Sequence, residues 1–112
     1  MANVRMSRIN GEVQKAVASI INQKVEHPDI KGKLITVLHV DTTPDLLQSK
    51  IFISSYGGDT DNVVKVLNSC KNFIRHELGA VLRLRTIPDL KFVKDTSYEY
   101  GQHMDSLFES IK

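Results

Sequence analysis

Four histidines, one cysteine and thirteen carboxylates are the side chains here that could do acid–base, nucleophilic or metal chemistry. Their spacing supports almost none of it. His27, His39, His76 and His103 form neither an HxxxH nor an HExxH pattern, and the single Cys70 cannot build a CxxC clamp. Neither a GxxxxGK[ST] phosphate loop nor a GxGxxG turn is present. Gly57-Gly58-Asp59 reads as a simple turn, because Asp59 and Asp61 would repel a phosphate at that helix start. Cys70 falls in a helical pattern and reads as a core residue. Its pairing with a distant histidine such as His39 is the one nucleophile–base arrangement left open. His39 itself reads as a packed or edge residue of a strand. Asp95 and Glu99 flank Thr96-Ser97, where acidic residues serve a helix start. No catalytic residue, metal site, cofactor or small-molecule substrate is expected, and the chain does not read as an enzyme.

The chemistry that remains is electrostatic. Net charge is only +2, but it is unevenly distributed. Residues 1–33 carry six Lys/Arg against three Asp/Glu, and residues 65–94 carry seven against two. Residues 34–64 and 95–112 each carry one against four. Two basic blocks are what a polyanion-binding surface needs, although solvated basic helix faces give the same counts. In the second block, Lys71, Arg75, Arg83, Arg85 and Lys91 alternate with apolar residues. The planar donor fork of arginine suits phosphate, and a helix starting near Asn72 would add free N–H groups.

These residues need elements to hold them. Ile9, Val13, Val17, Ile20 and Ile21, with Ala16 and Val25, recur at helical spacing, so a first helix is expected over about residues 6–26, bounded by Pro28. Arg5, Arg8 and Lys15 lie off that stripe. LITVLHVD (34–41) and SKIFISSY (about 49–56) read as two strands joined through Thr43-Pro44-Asp45, hence antiparallel. Helical patterns follow over about 60–70 and 73–83. They are either two helices joined near Cys70-Lys71-Asn72 or one long helix with Asn72 inside it. Thr86-Ile87-Pro88-Asp89 ends the pattern and LKFVK (90–94) is a third strand. Tyr100, Met104, Leu107, Phe108 and Ile111 predict a C-terminal helix over about 98–111. The expected fold is α+β, in the order α-β-β-α-α-β-α, with a three-stranded mixed sheet covered by helices. The length of 112 residues argues for one domain, 1–112. No apolar run reaches membrane-spanning length, no signal-peptide core is seen, and a lone cysteine makes no internal disulfide; a cytoplasmic protein is the expectation.

The blocks NFIRHELG and LRLRTIPDLKF, followed by Asp95-Thr96-Ser97 and Gly101, resemble the ribosome-binding factor A family. Arg8-Ile9, Leu34-Ile35-Thr36-Val37, Asp45-Leu46 and Ser49-Lys50-Ile51-Phe52-Ile53-Ser54 extend the likeness over nearly the whole chain. The resemblance implies a type II KH-like domain with a helix–kink–helix element on a three-stranded sheet. It implies no catalytic activity, and binding of the small ribosomal subunit during late maturation of its rRNA near the 5′-terminal helix. It also implies a role in cold adaptation. The Ala-x-Gly kink of the family is replaced by Cys70-Lys71-Asn72. Asn72 stands where the glycine would be, and it is expected to carry a left-handed kink. His27-Pro28-Asp29-Ile30 replaces the more usual Asp-Pro-Arg and lacks its basic residue. The RNA-contacting set expected is Arg5, Arg8, Lys15, Lys71, Asn72, Arg75, Arg83, Arg85 and Lys91. Partners are the small subunit and its rRNA, bound by a monomer, with no membrane involved. Some arginines would pair instead with Glu77 or Asp89, and Leu84 is expected in the core. The alternative function is a KH-like protein-interaction adaptor that touches no RNA.

Overall fold

A computed structural model describes residues 4–56, 59–84 and 86–95. The element order is α1 (Val4–Lys24), β1 (Leu34–Thr42), β2 (Gln48–Tyr56), α2 (Thr60–Ser69), α3 (Lys71–Val81) and β3 (Asp89–Lys94). The expected C-terminal helix lies outside the described residues. The helical stripe of the first segment becomes the core side of α1, where Ile9, Val13, Ala16, Val17, Ile20 and Ile21 are all buried. The helix stops at Lys24, short of Pro28, and a turn follows in which Ile30 and Lys31 both donate to the His27 carbonyl.

The sheet order is β1-β2-β3. β1 and β2 pair antiparallel, while β2 and β3 pair parallel. A parallel neighbour requires a crossover, and α2 and α3 supply it. Alternation along β1 and β2 sends Ile35, Val37, Val40, Ile51 and Ile53 inward, and Leu90 and Phe92 join them from β3. The register shifts between Val37 and His39, so Leu38 is an extra residue in β1. That bulge changes the parity of the strand. Val40 returns to the core and His39 is turned to the outer face, beside Phe52 (ring centroids 5.3 Å apart).

Side-chain amides close both outer edges of the sheet. From α1, Asn10 accepts the Thr42 N–H at 3.1 Å, and Gln14 donates to the Val37 carbonyl at 3.0 Å. From α2, the Asn68 amide meets Phe92 twice: Nδ2 donates to its carbonyl, and Oδ1 accepts its N–H, each at 2.9 Å. Asn68 thus takes the place of a further strand at that point. Inside, the hydroxyls of Thr42 and Ser49 share a 2.7 Å hydrogen bond, so neither is left unpaired in the core.

The β1–β2 turn is held by Asp45, whose Oδ1 accepts from the Thr43 hydroxyl (2.6 Å) and the Leu47 N–H (3.0 Å) while Leu46 adopts a left-handed φ of 63°. The Thr43 bond first, and the Leu47 N–H second, hold the Asp45 carboxyl below the usual carboxylate range. A lowered folded-state value means that this stabilisation is present above the unfolded value and is lost as pH falls through the folded one. An NMR titration should therefore show Asp45 titrating below the free side chain, with the Leu47 amide resonance following it. Asn68→Ala strands two backbone groups of β3 and should cost roughly 2–3 kcal/mol in chemical denaturation.

Candidate nucleic-acid interface

Arg5, Arg8, Glu12 and Lys15 recur along α1 at steps of three, four and three, so they share one side of the helix, next to its apolar stripe. This side forms one wall of an open groove. Val81, Leu82, Arg83 and Leu84, where the chain leaves α3, form the other, and Ile9 and Ala16 lie at its base. The groove therefore joins the two basic blocks. Arg8 lies 3.6 Å from Glu12, but both are exposed, and an exposed pair of this kind contributes little. Leu84 is half-buried at the groove wall and not in the core as expected.

The junction of α2 and α3 is a single residue. Cys70 ends α2, and its carbonyl accepts the Ile74 N–H to begin α3 (3.1 Å). Its φ of −100° and ψ of 6° lie in the bridge region. Asn72 is not the kink residue: it is the second residue of α3, its φ is not positive, and its side chain is exposed. Backbone bonding explains the earlier break. The Ser69 hydroxyl donates back to the Val66 carbonyl at 2.6 Å, and the Cys70 N–H is shared between the Val66 and Leu67 carbonyls. The last turn of α2 thus tightens and ends without a left-handed residue. Cys70 is half-buried against the core, as its place in the pattern suggested.

Arg75 has a structural task. Its Nε and Nη2 both donate to the Ile87 carbonyl (3.2 and 2.8 Å), and Nη1 lies 3.6 Å from Asp89. The fork expected to grip phosphate instead ties the segment between α3 and β3 back onto α3. Ile87 packs there over Gly79, where an added Cβ would meet its Cγ1 at 3.4 Å. Asn72, Arg75, His76, Gly79, Ala80 and Ile87 line a second cleft, and His76 is a residue that sequence reasoning did not place in any site. Lys71 is exposed at the first residue of α3. Lys91 alternates with the buried Leu90 and Phe92, so it points to the opposite side of the sheet, away from the groove. Arg85 lies outside the described residues. The structure thus gathers Arg5, Arg8, Lys15 and Arg83 in one groove and Asn72 with Arg75 in a second cleft, and sets Lys91 on the other side of the sheet. Among the described residues there is no group of three or more His, Cys, Asp or Glu that could hold a metal, and no helix long and apolar enough to cross a membrane.

A mixed three-stranded sheet with helices α1 to α3 on one face, the last two joined at one residue, defines an α+β protein of the type II KH-like class. The family model described as ribosome-binding factor A matches residues 5–108. The ribosome-binding factor A of Clostridium acetobutylicum is 39% identical over 100% of this chain and 93% of its own length. That of Carboxydothermus hydrogenoformans is 40% identical over 100% and 90%. The crystal structure of ribosome-binding factor A from Thermus thermophilus superposes with a TM-score of 0.71 at 20% identity, covering 80% of this chain and 94% of that one. The Thermus thermophilus homology model fitted into the cryo-EM map of a 30S complex gives 0.65 at 21%, covering 78% and 91%. The chain belongs to the ribosome-binding factor A family.

The position of Asn72 can be tested by stability. In a helix, Asn72→Ala should leave the unfolding free energy unchanged or raise it by up to about 0.5 kcal/mol, and Asn72→Gly should lower it by a few tenths. A left-handed Asn72 would give the opposite order. Arg75→Ala should cost about 1–3 kcal/mol and speed amide exchange at Thr86 and Ile87, because the Ile87 carbonyl loses both donors.

Proposed function

We propose that the protein is a ribosome-assembly factor that docks on the small ribosomal subunit and assists late maturation of its rRNA near the 5′-terminal helix. The observation that carries this reading is the α1–α3 groove, where Arg5, Arg8 and Lys15 from one end of the chain meet Arg83 from the other. Four cations along an open channel suit a phosphate backbone better than a compact ligand. Family membership supports the same partner, since a relative of this fold is described in a complex with the 30S subunit.

In this reading the chain is one RNA-binding domain, acts as a monomer in the cytoplasm and has no catalytic step of its own. It favours one rRNA conformation and leaves once the subunit has matured. Such help matters most in the cold, where misfolded RNA helices are slowest to open.

Co-sedimentation with free small subunits tests the proposal. If about four phosphates are neutralised, raising salt from about 50 to about 200 mM should weaken binding roughly a hundredfold. Arg8→Glu with Arg83→Glu should abolish binding at the higher salt while leaving the melting temperature within about 2 °C. Salt-independent association, or association that survives nuclease treatment of the subunit, would instead support an adaptor that contacts ribosomal protein only.

A further inference from the structure

The sheet face turned away from α1, α2 and α3 carries a second ordered set of side chains. Pairing across the strands arranges them in rows. Asp41, Lys50 and Lys91 form one row, and His39, Phe52 and Val93 form the next. Thr36 with Ser54, and Leu34 with Tyr56, continue the series. Successive rows lie about 6.6 Å apart along a strand. Tyr56 is 82% exposed and Leu34 64% exposed.

One feature of this face is unfavourable on its own. Lys50 and Lys91 are direct neighbours on adjacent strands, and like charges so placed destabilise a sheet. Neither makes an ion pair with a described residue: Asp41 stays out of range although it faces Lys50, and Asp89 is engaged by Arg75. One row away, on the central strand, the half-buried Phe52 lies beside His39 with the rings tilted by 42°. A cationic pair next to an aromatic ring, at about the separation of a phosphate from the base it carries, is suited to single-stranded nucleic acid. Thr36 and Ser54 place hydroxyl-bearing residues in the next row beyond the ring.

We propose that this open sheet face is a second RNA contact, in which Phe52 stacks one unpaired base while Lys50 and Lys91 hold the adjoining phosphate. The proposal rests on the reading that the partner is rRNA, and it names the class of RNA: a single-stranded segment. The groove, by contrast, has no aromatic ring among its lining residues and fits a backbone of either form. The two surfaces lie on opposite sides of the sheet, so the protein would sit between two RNA segments.

The test uses the full chain and a ten-residue oligoadenylate, read by fluorescence anisotropy, beside co-sedimentation with small subunits. Phe52→Leu keeps the apolar bulk and removes the ring. It should weaken oligoadenylate binding by about fivefold to a hundredfold, the loss of one base–aromatic stack. Phe52→Tyr should restore it. Lys50→Ala with Lys91→Ala should lower the slope of log affinity against log salt by about 0.7, one single-strand phosphate. Addition of the oligonucleotide should also shift the Phe52 and His39 ring resonances. The proposal is overturned if the parent protein does not bind the oligonucleotide, if Phe52→Leu binds it like the parent, or if those resonances stay fixed. The groove reading fails separately, if Arg8→Glu with Arg83→Glu still sediments with subunits.

Discussion

A three-stranded sheet has only one strand without a free edge, and closing the other two edges organises this molecule. Unpaired strand groups invite further strands, so they must be covered or bonded. Here long polar side chains on the helices do this. Asn10 and Gln14 lie one turn apart on α1 and reach the β1 edge at Thr42 and Val37. Asn68 on α2 presents an amide to Phe92 in the way a neighbouring backbone would. Each bond is directional, whereas apolar burial is not. The core therefore supplies the bulk of the stability, and the amides set where α1 and α2 lie on the sheet.

That placement explains the groove. With α1 held against β1, its Arg5–Arg8–Lys15 side lies along the flank of the helical layer. The crossover from β2 to β3 must then travel past it, and the break at Cys70 lets α2 pack on β3 while α3 packs on α1. Arg75 completes the arrangement by holding the Ile87 carbonyl, which fixes the far end of the segment that carries Arg83. One arginine is thus used inside the fold to anchor the segment that carries another.

The parts legible in the sequence were those with a period. The α1 stripe, three strands and two helical patterns all lie within a few residues of their expected bounds, because burial on one side imposes a 3.6- or 2-residue repeat. Non-periodic features were less visible. The bulge at Leu38 leaves no compositional mark, yet it decides that His39 faces outward. Asn72 looked suited to a left-handed joint, but the hydroxyl of Ser69 and a shared N–H ended α2 earlier. The task of Arg75 depends on a carbonyl twelve residues away, and the separation of Lys91 from Arg83 depends on the sheet lying between them. Charge counted along the chain could find the basic blocks but not the faces on which they fall.

The modest net charge limits how the protein could recognise RNA in the function proposed for it. A domain of net charge +2 lacks the broad positive field that gives tight, indiscriminate binding to any polyanion. In the proposed function, four cations in one groove would still give strongly salt-dependent attraction to a backbone that follows the channel between α1 and the end of α3. In that reading, discrimination would come from the shape of the RNA, because apart from Glu12 the groove walls carry apolar residues and long flexible cations. For the proposed function this balance would favour release: a small change in the path of the RNA would remove several phosphate contacts together, and affinity would fall by the product of their contributions.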